Sequence, residues 1–175
     1  MPALRENPDE LAALIAAASE RLSLAPAYVE KDFWAMEVLR AATFPLQVSG
    51  PGGSGDVTVI FKGGTSLSRA YGLIERFSED IDVLVVFPDV GAGAGTREKA
   101  LKGMREAVIK HLSLGPEQAV PKKSTTGVKR NTRFLYPTQV TPSSQTLPAI
   151  SDGYCWRSGP GAGLPRPSVT NSVVW

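Results

Sequence analysis

A chain of 175 residues, 42% hydrophobic and 21% charged, is sized for one ordinary core. No apolar run approaches a membrane span, the opening MPALRENPDE carries acids and no apolar leader, and the single Cys155 has no second cysteine to pair with; the expected setting is the cytoplasm, away from membranes. The net charge of +2 conceals an asymmetry, because residues 1–50 hold four Lys/Arg against seven Asp/Glu while residues 97–133 hold ten against three. That basic half suits a polyanion, and it equally suits a solvated helix face followed by a loop.

Asn7-Pro8-Asp9-Glu10 predicts a helix start, since Asn7 can cap, Pro8 fits the first helical position and the acids complement the dipole. This helix should run to about Leu22. Ser23 to Pro26 break and restart the chain, and Ala27 to Ala42 then predicts a second helix with Val29, Phe33, Met36 and Leu39 on its apolar face and Glu30-Lys31-Asp32 on a polar edge. Gln47 to Asp56 is rich in Gly, Pro and Ser and reads as a mobile connection, with the fold proper beginning after it.

Val57 to Phe61 is β-branched and apolar, as a buried strand requires, and Gly63-Gly64 end it. Thr65 to about Glu75 carries a helical period through Leu67, Ala70, Tyr71 and Ile74. Ile81 to Phe87 reads as a second buried strand, Gly91 to Gly95 as a loop, and Arg97 to His111 as a helix capped by Thr96 that turns Leu101, Met104, Val108 and Leu112 inward. Phe134-Leu135-Tyr136 falls in a third strand reached through the basic run Lys122 to Arg133. The fold class is therefore α/β, with helices and a linker over residues 1–50, a core over 57–142 and an irregular tail over 143–175.

The chemistry concentrates between Val57 and Phe87. A strand ending in Gly63-Gly64 at a helix start leaves backbone N–H groups open to a phosphate, and Thr65 and Ser66 add hydroxyl donors. A glycine pair also serves any tight turn, and no lysine follows it as a Walker A loop requires, which argues against a small-molecule kinase. Asp80 and Asp82, two apart on a strand, share one sheet face and make a hard-oxygen site suited to Mg²⁺ or Mn²⁺; the bland alternative is a solvent-facing pair at a strand end. Lys62, Arg76 and Ser78 flank the same crevice and can neutralise or hydrogen-bond phosphate. His111 near a helix end reads as a dipole partner, and Trp34 and Tyr28 as packing residues.

Phe61-Lys62-Gly63-Gly64-Thr65-Ser66-Leu67-Ser68, followed by Ala70-Tyr71-Gly72-Leu73-Ile74, Arg76-Phe77-Ser78 and Asp80-Ile81-Asp82, closely resembles the first signature of AbiEii-type nucleotidyltransferases. These include the toxin halves of type IV toxin–antitoxin systems and the MenT toxins. Val29-Glu30-Lys31-Asp32-Phe33-Trp34 also resembles the helix preceding that signature, so the likeness covers about residues 25–140. It implies a DNA polymerase β-like nucleotidyltransferase core that transfers a nucleotide from an NTP to an acceptor hydroxyl, with RNA, above all the tRNA 3′ end, as acceptor and a cognate antitoxin as partner. By position, Gly64, Thr65 and Ser66 would hold the triphosphate, Asp80 and Asp82 the metal, and Arg76 and Ser78 the polar shell. Rival readings are a non-catalytic nucleotide- or antitoxin-binding remnant and a small-molecule nucleotidyltransferase.

The resemblance also implies a third carboxylate on a later strand, further motifs and a helical C-terminal region, and this sequence shows none of them. After about Gln139 the chain is rich in Pro, Gly and Ser. The codons required for Gly153-Tyr154-Cys155-Trp156-Arg157-Ser158, read from the last base of the Gly153 codon, spell Leu/Ile/Val, Leu, Leu, then Glu if Arg157 uses AGA or AGG, then Ile/Val if Ser158 uses TCN. An apolar run holding one glutamate is the expected form of the missing strand. A frameshift close to Gly153, leaving Tyr154 to Trp175 out of frame in a truncated family member, is the expectation that follows.

Overall fold

The N-terminal signals are obeyed in the computed structural model, which describes residues 3–62, 80–121, 130–137, 139 and 154–160. Helix α1 (Pro8–Leu22) starts at Asn7, whose side chain accepts the Glu10 N–H at 3.4 Å, and stops at Ser23, which takes a left-handed φ of 54°. It buries Leu11 and Ile15.

Helix α2 (Pro26–Ala42) forms where expected, with Leu39 in the core and Val29 and Phe33 packed against it, but it buries more than that stripe. Trp34, Ala35, Val38, Leu39, Ala41 and Ala42 enter the core, Met36 is 44% exposed, and Glu30 and Lys31 are only 1% and 3% exposed. The reason is its position: α2 packs against both α1 and the later helix α3 (Ala94–His111), so its buried surface is wider than one amphipathic stripe, and its alanines permit close approach. Trp34 stacks on Tyr136 with ring centroids 5.6 Å apart and meets Phe33 edge-on at 5.1 Å. The Glu30 carboxylate accepts the backbone N–H of Gln139 at 2.6 Å and the Trp34 indole N–H at 3.5 Å, which offsets its desolvation.

Glu37, further along α2, ties three segments together. Its carboxylate lies 2.8 Å from His111 Nε2 at the end of α3, 3.2 Å from Arg40 Nε and 3.6 Å from an Arg5 terminal nitrogen, while Arg5 Nε donates to the His111 carbonyl at 2.9 Å. Glu37→Ala should lower unfolding free energy by about 1–3 kcal/mol, because half-buried donors lose their acceptor. Urea unfolding would check this; a loss below about 0.5 kcal/mol would place the cluster with ordinary surface pairs.

Residues 47–56 are not a bare connection but a hairpin of β1 (Gln47–Gly50) and β2 (Gly53–Asp56), antiparallel with Gln47 opposite Asp56. Gln47 Nε2 donates to Asp56 Oδ1 at 2.9 Å, the Ser49 and Ser54 hydroxyls meet at 2.7 Å, and Val48 packs with Val90, Ala92 and Ala100. Glycine serves close approach here: a Cβ on Gly50 would collide with the Val90 carbonyl oxygen, and one on Gly55 would lie 2.7 Å from Pro88 Cβ. Gly50→Ala should therefore cost about 1–3 kcal/mol as an overpacked site, read as a lowered denaturation midpoint; an unchanged midpoint would mean that the hairpin swings away freely.

The main sheet has five strands in the order β3-β4-β7-β6-β5: β3 (Thr58–Lys62), β4 (Asp80–Val86), β5 (Ala119–Pro121), β6 (Arg130–Phe134) and β7 (Tyr154–Pro160). Only β4 and β7 pair in parallel; the other neighbours are antiparallel. Helices cover one face, where Ile81, Val83, Val85 and Phe134 join Leu11, Trp34, Val38, Leu101, Met104 and Val108 in one cluster. The expected inward residues of α3 are thus inward, although its N-cap is Gly93 and not Thr96: the N–H groups of a first turn need no helical partner, so Ala94-Gly95 can begin it.

Three strand expectations need correction. The strand after the hairpin is an edge strand with alternating exposure, because Thr58, Ile60 and Lys62 point away from the helices while Val59 and Phe61 pack toward them. The third strand ends at Phe134, leaving Tyr136 beyond it to meet Trp34. Tyr154–Pro160, expected to be irregular, is a strand between β4 and β6. The predicted helix from Thr65 to Glu75 lies outside the described residues. Among the described residues no helix is long and apolar enough to cross a membrane.

Candidate active site

Alternation along β4 decides what its two faces carry. Ile81, Val83 and Val85, each at most 1% exposed, turn to the helices. Positions 80, 82, 84 and 86 therefore belong to the opposite face, and Asp82 and Leu84 are half-buried there. The expectation that Asp80 and Asp82 share a face opposite Ile81 agrees with this register.

Cross-strand pairing places polar positions in rows on that face. Lys62 at the end of β3 is the direct partner of Asp82, which pairs on its other side with position 157 of β7, and that position pairs in turn with Asn131 of β6. The neighbouring row runs from Asp80 through position 155 to Arg133 and Val120. Direct cross-strand neighbours sit about 5 Å apart on one face, so Lys62 and Asp82 are neighbours there. Arg133, two strands from Asp80 or roughly 10 Å by strand spacing, is half-buried, and its Nε has no hydrogen-bond partner among the described residues.

The aspartates also lie elsewhere than a simple parallel sheet would put a ligand site. The aspartates are at the start of β4, level with the carboxyl end of antiparallel β3. The chain leaving β3 there is the stretch holding Gly63, Gly64, Thr65, Ser66, Arg76 and Ser78, all of which lie outside the described residues. The structure thus brings Lys62 beside Asp82 and sets Asp80 two positions away on the same strand.

Two carboxylates at this spacing on β4 offer hard oxygen donors, the donor type that Mg²⁺ or Mn²⁺ takes. Among the described residues no group of three or more His, Cys, Asp or Glu side chains converges as a metal cluster. His111 is held by Glu37, and Trp34 is 1% exposed in the core. Sequence reasoning took Arg133 as part of a basic approach to a strand; only the pairing of β6 with β7 puts it in line with Asp80.

A family model described as nucleotidyl transferase AbiEii toxin, type IV toxin–antitoxin system, matches residues 53–151, more than half of the chain. The matched span includes Lys62, Asp80, Asp82 and Arg133 and stops short of β7. Searches of curated proteins and of solved structures give no match.

Proposed function

Because the chain belongs to the AbiEii family of nucleotidyltransferase toxins of type IV toxin–antitoxin systems, we propose that the face carrying Asp80 and Asp82 transfers a nucleotide from an NTP to an acceptor hydroxyl. The observation that carries this reading is the cross-strand pair of Lys62 and Asp82 at the end of β3, where the chain enters Gly63-Gly64. In this reading Lys62 neutralises phosphate and its neighbour Asp82 binds metal. The core is read as DNA polymerase β-like, and the protein as cytoplasmic.

The reaction forms a bond between the acceptor oxygen and the α-phosphorus and breaks the bond from that phosphorus to pyrophosphate. Backbone N–H groups at Gly63 and Gly64, the hydroxyls of Thr65 and Ser66, and the cations of Lys62 and Arg76 hold the triphosphate and offset its charge. Ser78 contributes to the polar shell. Mg²⁺ or Mn²⁺ held by Asp80 and Asp82 supplies Lewis-acid stabilisation when bound. Such catalysis rests on positioning and electrostatics, with no covalent enzyme intermediate required. The acceptor is RNA, foremost the tRNA 3′ end, which the basic residues between 97 and 133 suit by charge. A cognate antitoxin is the corresponding protein partner.

One observation favours a second reading. An arginine at position 157 stands beside Asp82 in the register, where a further cation works against a divalent metal. A non-catalytic remnant that binds nucleotide or antitoxin without transfer would follow. Incubation with labelled NTPs, Mg²⁺ and total tRNA separates the two. Label entering tRNA, and lost in Asp80→Ala, is the expected result; incorporation indifferent to that substitution removes the assignment, and Mg²⁺-dependent NTP binding without transfer selects the remnant.

A further inference from the structure

Strand β7 holds a place that its residues do not suit. It lies between β4 and β6, with positions 154, 156 and 158 in register with the helix-facing residues Phe134, Ile81 and Val83. A strand paired on both sides, in a sheet that helices cover on one face, alternates apolar residues toward the helices with polar ones away from them, and holds no proline in its interior. This one reads Tyr, Trp and Ser at the core-facing positions, Cys, Arg and Gly at the others, and ends in Pro160 paired with Val85. The family match, which includes both partners β4 and β6, ends at residue 151, immediately ahead of it.

We propose that one base has been lost from the gene at or just before the Gly153 codon, so that β7 is the backbone of a strand whose native residues lie in the neighbouring frame. Restoring that base gives Leu/Ile/Val at position 154, Leu at 155 and 156, Glu at 157 and Ile/Val at 158, given AGA or AGG for Arg157 and TCN for Ser158. Three apolar residues then fall at 154, 156 and 158, against Phe134, Ile81 and Val83, while the leucine at position 155 falls beside Asp80 and the single carboxylate beside Asp82, both away from the helices. Beyond it, the shifted codons spanning Ser158 to Gly163 can encode only Gly, Arg or Trp alternating with Ser, Pro, Thr, Ala, Gly, Arg or Cys, a composition compatible with the turn that ends a strand.

The structure also sets the size of the lesion. Gain of two bases would reach the same frame but move each residue by one position, placing the glutamate beside Ile81 in the core and turning the apolar set outward. Loss of one base turns three apolar residues toward the helices and the carboxylate toward the face of Asp82.

The frame is tested by the nucleotide sequence of codons 152–175, without reference to activity. Only the consequence for metal binding, a third carboxylate in the row of Asp82, rests on nucleotidyl transfer as the function, so failure of either leaves the other measurable. The expected result is AGA or AGG at Arg157, TCN at Ser158 and a shifted frame that stays open through the codon of Trp175. CGN at Arg157, AGT or AGC at Ser158, or a stop codon in the shifted frame before that point overturns the proposal.

Discussion

Asp82→Ala is expected to lower nucleotide incorporation by roughly a hundredfold to a thousandfold, the usual effect of removing one group that stabilises charge developing in a transition state. The melting temperature should barely change. Asp82 is half-buried on the face away from the helices, and its strand is anchored from the other side by Ile81, Val83 and Val85, which the substitution leaves in place. Lys62→Ala supplies the contrast. A cation that binds phosphate equally before and during the reaction affects apparent NTP affinity more than turnover, so KM should rise about tenfold with a smaller change in kcat. Initial rates with labelled NTP over a range of concentrations distinguish the two effects. If Asp82→Ala transfers nucleotide at the rate of the unmodified chain, the chemistry is not at this face.

Trp34→Ala should cost about 3–5 kcal/mol, a large part of the roughly 5–15 kcal/mol that holds an ordinary domain together. Trp34 is 1% exposed, stacks on Tyr136, touches Phe33 and donates its indole N–H toward Glu30, so truncation opens a cavity and removes a donor from a buried carboxylate. Trp34→Phe should recover most of the packing while still losing that donor. Guanidinium unfolding followed by circular dichroism reads both. A loss below about 1 kcal/mol for the alanine variant would mean that the α2 core relaxes around the gap, contrary to close packing.

Legibility differed between elements for identifiable reasons. In α1 and α3 the signals were local, and Asn7, Leu101, Met104 and Val108 take the places predicted for them, apart from the displaced start of α3. In α2 the period placed Leu39, Val29 and Phe33 against the core but was incomplete, because a helix packed on two others buries residues that one stripe does not contain; Glu30 and Lys31 look like a solvent edge until Gln139 and the core close over them. The glycines of residues 50–55 resemble a flexible linker in composition. Their purpose is visible only once Pro88 and Val90 lie against them.

By itself the sequence determined the α/β class, the pairing of Asp80 with Asp82 on one strand face and the family signature around them, because each rests on short-range spacing. Tertiary structure decided what stands beside those aspartates. Lys62 comes from the strand before, Arg133 from a strand fifty residues later, and position 157 from a stretch whose composition resembles no strand. Neighbours in a sheet are set by hydrogen-bond register between distant segments, which the local pattern of neither segment contains.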